Sequence, residues 1–231
     1  MVNIVLPDNV QRSLAFYLAM EEFVARNFEG ETFFVWQTGP TVIYGRNQVL
    51  ENEVNLAYCK AHGVEIVHRK SGGGCVYSDM GNIMISYVSN HGEASEVFER
   101  YLLQMTDLLS GLGVQAERSG RNDILVNGKK VSGNAFRQLP FKSIVHGTLL
   151  YSTDFKALEQ ALLPPVEKLQ RHGVESVRQR VGNLQDALAI DIETLKQKIV
   201  GHFCDSKIVL TPENIAEITE LQKSYPVLSN N

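Results

Sequence analysis

The chain has 231 residues, of which 44% are hydrophobic and 21% charged, with a formal net charge of -4 at pH 7. This length can bury a substantial core, and the scattered basic residues give little support to nucleic-acid binding. A signal-peptide pattern and a membrane-length apolar run are both missing, and three widely spaced cysteines are typical of free thiols in a reducing compartment, so we expect a cytoplasmic protein without a membrane partner.

The predicted elements are helices and short strands along the whole chain. Residues 8–26 are predicted to form an opening helix capped by Asp8 or Ser13. The runs 33–36 and 42–44 are predicted to form a hairpin around Gly39-Pro40. The others are strands at 64–67 and 83–88, a helix capped by Ser95 and ending at Gly111, three antiparallel strands within 120–151, a helix from Asp154 to Leu163 stopped by Pro164-Pro165, and closing helices at 191–204 and 211–225. The expected fold is one α+β (α/β) domain over residues 1–231, a mixed, mainly antiparallel sheet covered by helices.

A basic, glycine-rich segment, Arg69-Lys-Ser-Gly-Gly-Gly74, separates the strands at 64–67 and 83–88. Three successive residues without Cβ atoms can present N–H groups to anionic oxygens, and Arg69 and Lys70 add positive charge. The ending of a Walker-type loop is missing, and Tyr77 stands where a dinucleotide fingerprint has its third glycine. The segment therefore predicts a phosphate or acyl-phosphate site, with a plain glycine-rich turn as the alternative.

A second segment, residues 120–137, contains Asn127-Gly128 between alternating runs, which is the strongest short-range signal for a two-residue hairpin. Counting outward from this turn predicts the pairs Val126–Lys129, Leu125–Lys130, Ile124–Val131, Asp123–Ser132 and Asn122–Gly133. One face would carry Ile124, Val126, Val131 and Ala135, and the other Asp123, Leu125, Lys130, Ser132 and Asn134. Lys130 is therefore a candidate functional residue, and an ordinary solvated sheet face is the alternative.

Seven ordered motifs make the sequence resemble the catalytic domain of lipoate-protein ligases. They are Ile43-Tyr-Gly-Arg-Asn-Gln48, Arg69-Lys-Ser-Gly-Gly-Gly74, Asp79-Met-Gly-Asn82, Gly120-Arg-Asn-Asp123, Lys130-Val-Ser-Gly-Asn134, His146-Gly-Thr-Leu-Leu150 and Ser176-Val-Arg-Gln-Arg-Val-Gly-Asn-Leu184. The resemblance implies a two-step reaction, in which lipoate and MgATP form lipoyl-adenylate and the ε-amine of a lysine on a lipoyl domain then attacks the activated carbonyl. The implied acceptors are the E2 subunits of 2-oxoacid dehydrogenases and the H protein of the glycine cleavage system.

The resemblance also implies the site residues. Lys130 would be catalytic, lying against the α-phosphate and the lipoyl carbonyl, where preorganised cations stabilise developing charge. The nucleotide would contact Arg69, Ser71, Gly72, Gly73, Gly74, Cys75, Val76, Tyr77, Asn82, Asn122, Asp123 and Lys130. Lipoate would contact Arg69, Gly74, Lys130, Ser132, Gly133, His146 and Gly147. Asp123 could help hold Mg²⁺ or could merely orient Lys130.

Several alternatives stay open at the level of sequence. Cys75 could be the nucleophile of a cysteine-dependent octanoyltransferase, although a small buried residue is the preferred interpretation, and a non-catalytic protein that binds lipoate or its adenylate is a further rival. The six histidines show no metal-ligand spacing, and His146 is the one of interest. Arg178 and Arg180 could meet phosphate or an acidic partner, but we favour solvent-facing arginines.

The main departure from the family pattern is at the C-terminus. Many lipoate ligases continue into a small accessory domain that assists adenylation, whereas this sequence ends at Tyr225-Pro-Val-Leu-Ser-Asn-Asn231. We expect a catalytic domain without that accessory domain. A separate accessory subunit or activating enzyme could then support the adenylation step. Alternatively, the chain could act as a lipoyltransferase that uses only preformed lipoyl-adenylate.

Overall fold

A computed structural model describes residues 1–90, 92–120, 122–163 and 180–228. Its strands are β1 (Val2–Val5), β2 (Thr32–Trp36), β3 (Thr41–Tyr44), β4 (Glu65–His68), β5 (Val76–Ser78), β6 (Asn82–Asn90), β7 (Ala116–Ser119), β8 (Asp123–Val126), β9 (Lys129–Gln138), β10 (Lys142–Leu150), β11 (Ser206–Val209) and β12 (Val227–Leu228). Its helices are α1 (Leu14–Asn27), α2 (Leu50–Glu53), α3 (Leu56–Ala61), α4 (Ala94–Gly111), α5 (Phe155–Ala161), α6 (Ile192–Phe203) and α7 (Pro212–Gln222), with a short 3-10 turn at Leu184–Asp186.

Two mixed sheets form the framework. The larger has the strand order β11-β1-β2-β6-β10-β9-β8-β7, and the smaller has the order β12-β4-β3-β5. Parallel pairing occurs at β1 with β11, β1 with β2 and β3 with β4, while the other pairs are antiparallel. The predicted α+β class with a mainly antiparallel, helix-covered sheet is therefore confirmed. Within the described ranges, no helix is both long and apolar enough to cross a membrane.

Most helices begin with a side-chain cap, and α1 begins after Ser13 rather than after Asp8, the other predicted candidate. The side chains of Ser13, Asp154 and Asp191 each accept a backbone N–H in the first turn of α1, α5 and α6. Thr211 begins α7 with a capping box and Pro212 in the first turn. The predicted Ser95 cap is wrong, because α4 begins at Ala94 and Ser95 lies inside its first turn. The predicted stop at Pro164-Pro165 lies outside the described residues.

The predicted hairpin of residues 33–36 with 42–44 is also wrong. Strand β2 pairs with β1 and β6 in the larger sheet, whereas β3 pairs with β4 and β5 in the smaller one. Both runs are almost continuously buried rather than alternating, so each needs neighbours on both edges and cover on both faces. The Gly39-Pro40 segment is therefore a crossover between two sheets.

Helix α1 covers the centre of the larger sheet, and the register of the strands places two rows of side chains beneath it. One row runs Trp36, Met84, Thr148, Gly133, and the other runs Phe34, Ser86, His146, Ala135. Residues Leu14 to Ala25 of α1 are all buried, so the helix is embedded rather than merely amphipathic. Helices α4 and α6 pack on the opposite face around a second apolar cluster. The rows under α1 form the floor of the candidate site.

Candidate active site

A cavity of about 240 Å³ lies between the N-terminal half of α1, the rows of the larger sheet and the loop that joins β4 to β5. Its wall is formed by Leu14, Leu18, Trp36, Ile43, Arg69, Gly73, Gly74, Cys75, Val76, Met84, Asn122, Lys130, Gly133, Asn134, Ala135, His146, Gly147 and Thr148. A concave site of this kind, with an apolar part and a few convergent polar groups, is typical of a small-molecule site.

One part of the wall is apolar and rigid. Leu14 and Leu18 of α1 face it together with Trp36, Ile43 and Met84. The Trp36 indole is 5% exposed and stacks on Tyr17 with ring centroids 4.4 Å apart. Its Nε1–H donates to Ser86 Oγ at 2.9 Å. This part of the cavity therefore suits an apolar chain rather than a charged group.

The glycine loop, residues 69–75, forms the polar rim opposite. Gly73 has φ +96°, a conformation that favours glycine, and an added Cβ on Gly45 would lie 2.0 Å from the Gly73 carbonyl oxygen, so two backbones meet here. Among the described residues, the N–H groups of Gly72, Gly73 and Gly74 meet no acceptor. Successive free N–H groups in such a loop are suited to anionic oxygens.

Arg69 organises this loop from within. Its guanidinium donates to the carbonyl oxygens of Gly72 and Gly74 at 2.9 and 2.7 Å, and to that of Ile43 at 3.2 Å. The residue is 5% exposed, and burial lowers its pKa. These contacts are all with neutral groups, so the positive charge of Arg69 is left uncompensated by them beside the cavity, where it would attract an anion.

The hairpin of β8 and β9 carries the candidate lysine, but its predicted register is correct only next to the turn. Val126–Lys129 and Leu125–Lys130 pair as predicted, whereas a bulge then shifts Ser132 opposite Ile124 and Gly133 opposite Asp123. The extra residue lets Val131 and Ser132 both be buried at 1% exposure. The pairs predicted beyond Lys130 are wrong, because a count outward from the turn assumes an unbroken ladder.

Lys130 nevertheless lies beside Asp123, as the sequence predicted. Its Nζ is 2.9 Å from Asp123 Oδ1, and its side chain is 39% exposed. The backbone of Lys130 is also fixed from the other side, because its carbonyl oxygen accepts the Gly182 N–H at 3.0 Å. Lys130 thus places a positive charge, paired with Asp123, at the cavity wall.

Two glycines in the wall lie very close to neighbouring side chains. An added Cβ on Gly147 would lie 1.8 Å from Asn134 Oδ1. An added Cβ on Gly133 would lie 2.8 Å from both Cε and Nζ of Lys130. The first contact concerns a side chain held by hydrogen bonds from its Nδ2 to Asn122 O and Ser132 Oγ. The second contact is with the far end of a long, flexible type of side chain.

Gly133→Ala is therefore expected to displace the Lys130 amine and lower the catalytic rate constant by about tenfold. The melting temperature should change little, because a flexible side chain can move out of the way. A matched control is Gly111→Ala, since an added Cβ at Gly111 meets nothing within 4 Å. Equal activity of the two variants would show that the position of Lys130 does not limit the rate.

The structure brings many of the predicted site residues into one wall. Those in the wall are Arg69, Gly73, Gly74, Cys75, Val76, Asn122, Lys130, Gly133, His146 and Gly147. The predicted residues outside it are Ser71, Gly72, Tyr77, Asn82, Asp123 and Ser132. Tyr77 belongs to an apolar cluster, Asn82 Oδ1 accepts from Thr153, and Asp123 reaches the site through Lys130. Their roles toward ligands remain predictions.

Sequence reasoning missed the apolar part of the wall and two of its polar residues. The missed residues are Leu14, Leu18, Trp36, Ile43, Met84, Asn134, Ala135 and Thr148. Leu14 and Leu18 fit the helical spacing of ordinary core residues, and the others come from five separate strands. A local pattern cannot separate a cavity wall from a core, because the same side chains serve both.

The remaining candidate features carry less chemistry. In the described part of the chain, no group of three His, Cys, Asp or Glu residues could hold a metal ion, and the Asp123 carboxylate is engaged by Lys130. Burial, together with Glu53, raises the pKa of the Cys75 thiol to about 12. Arg180 is exposed, as favoured, whereas Arg178 lies outside the described residues.

Comparison with known proteins assigns this architecture. Residues 13–204 match the family model "Lipoyl protein ligase A/B catalytic domain". The chain is 38% identical over 188 residues to lipoate-protein ligase 1 of Staphylococcus aureus, covering 79% of this chain and 57% of that protein. It is 32% identical over 218 residues to lipoate-protein ligase LplJ of Bacillus subtilis, covering 91% and 64%. The chain thus spans about three fifths of the length of these relatives.

A solved structure has the same fold over nearly the whole chain. It comes from a study of a bipartite lipoate protein ligase and its E2 lipoyl domain from Thermoplasma acidophilum. The TM-score is 0.82 at 26% identity, and the match covers 96% of this chain and 91% of that one.

Proposed function

This chain belongs to the lipoyl protein ligase A/B catalytic-domain family, and we propose on that basis that it is a lipoate-protein ligase. The observation that carries the proposal is the two-part cavity. Its apolar wall suits a medium-length acyl chain, while Lys130, Arg69 and the free N–H groups of the glycine loop suit the anionic end of an acyl-adenylate. The substrates would be lipoate, or a similar fatty acid, and ATP.

The chemistry would proceed in two displacements. A carboxylate oxygen of lipoate attacks the α-phosphorus of ATP, the bond to the bridging oxygen breaks, and pyrophosphate leaves. A neutral lysine amine then attacks the acyl carbonyl, the bond to AMP breaks, AMP leaves, and the amine proton passes to solvent. Negative charge develops on the phosphoryl and carbonyl oxygens in both steps, and Lys130 and the glycine loop would stabilise it.

Mg²⁺ would accompany ATP rather than occupy a site built by the protein alone. Mg²⁺ commonly binds through one or two carboxylates and substrate phosphates. The Asp123 carboxylate lies near the polar part of the cavity, but it faces the Lys130 ammonium. It could supply one ligand and could equally serve to orient the lysine.

The acceptor would be a lipoyl domain, of a 2-oxoacid dehydrogenase E2 subunit or of the glycine cleavage H protein. Support comes from the neighbouring structure, whose study concerns a ligase and its E2 lipoyl domain. That ligase is bipartite, and the matched chain is nearly the same size as this one. We therefore include a separate accessory subunit or activating enzyme in the proposal.

The test is the intact mass of an apo lipoyl domain after incubation with this protein, with lipoate and MgATP in one reaction and synthetic lipoyl-adenylate in the other. Modification in both reactions establishes a complete ligase. Modification with the adenylate alone establishes a lipoyltransferase that needs an activating partner. Absence of modification in both overturns the proposal and leaves a cysteine-dependent octanoyltransferase or a binding protein.

A cysteine-dependent octanoyltransferase is the rival that the structure makes testable at Cys75. Burial and the neighbouring Glu53 raise the pKa of this thiol to about 12, so very little thiolate is present at pH 7. Cys75→Ser is therefore expected to keep its activity within about twofold. An acyl adduct on Cys75 after incubation with an octanoyl donor, detected by mass, would instead favour the transferase.

A further inference from the structure

Two consecutive glutamates of α1 hold two consecutive residues of the glycine loop. Glu22 contacts Lys70 directly, with Oε2 3.0 Å from Nζ. Glu21 reaches Ser71 through His146, because His146 Nδ1 lies 2.9 Å from Glu21 Oε2 and His146 Nε2 lies 2.6 Å from Ser71 Oγ. The loop is thus attached to the helix at the two positions that precede its glycines.

The Glu21 connection continues behind the cavity to its apolar wall. Ser86 Oγ donates to Glu21 Oε1 at 2.6 Å and accepts from the Trp36 indole at 2.9 Å. We call this chain of five residues (Trp36, Ser86, Glu21, His146, Ser71) the buried relay. Ser86 and His146 are cross-strand neighbours in the row beneath α1, so the sheet register itself brings the members together.

The buried relay has a defined direction of hydrogen bonding. A carboxylate only accepts, so Nδ1–H of His146 donates to Glu21, and in the neutral imidazole Nε2 accepts the Ser71 hydroxyl proton. Glu21 and Ser71 are each 2% exposed. A buried network in which each member is satisfied holds its members in one arrangement.

The order glutamate, histidine, serine resembles a hydrolase triad, but the placement does not suit a nucleophile. His146 and Trp36 line the cavity, whereas Ser71 does not. Its hydroxyl is hydrogen-bonded to His146 Nε2. A nucleophile has to reach the substrate, so the serine end of the buried relay anchors the loop instead.

We infer that Glu21 is a positioning residue for the glycine loop, acting through His146 on Ser71. The inference rests on the proposed function, in which the loop binds the phosphates of ATP. The relay would keep the loop N–H groups and Arg69 at a fixed distance from Lys130, across the cavity. Its loss should weaken nucleotide binding more than the chemistry at Lys130.

The test is a double-mutant cycle with Glu21→Gln and Ser71→Ala, two residues that are joined only through His146 in the relay. Glutamine keeps the size of Glu21, and its carbonyl oxygen can keep the hydrogen bond from Ser86 Oγ. Its amide then donates toward Nδ1 of His146, which selects the other tautomer and removes the acceptor for the Ser71 hydroxyl. Each variant should raise the KM for MgATP about tenfold, while kcat and the KM for lipoate stay within about threefold. The double variant should match the single ones.

The matched control is Glu31→Gln, a half-buried glutamate that accepts from the hydroxyls of Tyr87 and Ser89 away from the cavity. It should leave the KM for MgATP unchanged. Ser71→Ala removes a single oxygen, so it keeps the test decisive if Glu21→Gln does not fold. Fluorescence of Trp36, the one tryptophan of the sequence, reports lipoate binding without turnover.

Three outcomes would overturn the inference. They are unchanged KM values in both single variants, a roughly hundredfold additive effect in the double variant, and an acyl adduct on Ser71 found by mass. If the wild-type protein neither binds MgATP in calorimetry nor modifies a lipoyl domain, the proposed function itself is overturned. If the wild-type protein does both and the variants have the same KM values as the wild type, only the inference about the relay is overturned.

Discussion

Lys130→Ala is expected to lower acceptor modification by about a thousandfold while the fold stays intact. Lys130 belongs to the β8–β9 hairpin and lines the cavity. Removing one preorganised donor from a developing oxyanion lowers the rate by a factor on the order of 10² to 10³. Its ion pair with Asp123 is partly exposed, and such pairs contribute about 1 kcal/mol or less to stability. Mass spectrometry of the acceptor measures the first effect, and thermal melting measures the second.

Lys129→Ala is the matched control, because the adjacent lysine is exposed and lies outside the cavity wall. Its removal should leave the modification rate within about twofold. Supplying synthetic lipoyl-adenylate to Lys130→Ala separates the two half-reactions, since a variant that recovers with the adenylate has lost only the activation step. A Lys130→Ala protein that modifies the acceptor at the wild-type rate would remove this residue from the mechanism.

The polar half of the site, formed by the glycine loop and Lys130, was predictable because its sequence motifs are local. Three glycines after Arg69 and an Asn-Gly turn before Lys130 each determine a short stretch of backbone, and the pairing of Lys130 with Asp123 needed only a hairpin. That pairing holds despite the bulge, because the contact is made by a long side chain. The bulge itself comes from burial of both Val131 and Ser132, which depends on the packed sheet.

The apolar half was not predictable because it depends on how distant elements meet. Strands β2 and β3 are close in sequence, yet they enter different sheets, and Trp36 of one and Ile43 of the other both line one cavity. Helix α1 was predicted, but nothing in its local sequence indicates that its glutamates are buried. In the structure Glu21 and Glu22 are each 2% exposed, so tertiary packing overrides the usual exposure of such residues.

Glu22→Gln is expected to reduce the free energy of unfolding by about 3 kcal/mol at pH 7. Its buried carboxylate accepts from Lys70 at 3.0 Å, from Arg137 at 2.8 Å and from the Tyr225 hydroxyl at 2.9 Å, and it also pairs with Arg26. Removing one partner of a buried ion pair costs roughly 3 to 5 kcal/mol, because the other charge is left uncompensated. Chemical denaturation of the two proteins measures the difference.

The pH dependence of that difference identifies its cause. Burial alone would raise the pKa of Glu22, but hydrogen bonds from Lys70 and Arg137 outweigh it and lower the pKa from 4.5 to about 2. A carboxyl whose pKa is lowered by folding stabilises the protein above its unfolded pKa, and this stabilisation disappears as the pH falls toward the folded value. The gap between wild type and Glu22→Gln should therefore shrink as the pH falls from about 4.5 toward 2. The control is Glu220→Gln, in an exposed pair with Lys223, which should change stability by less than about 0.5 kcal/mol across this range. If the difference in the free energy of unfolding between wild type and Glu22→Gln did not depend on pH, packing rather than charge would be its cause.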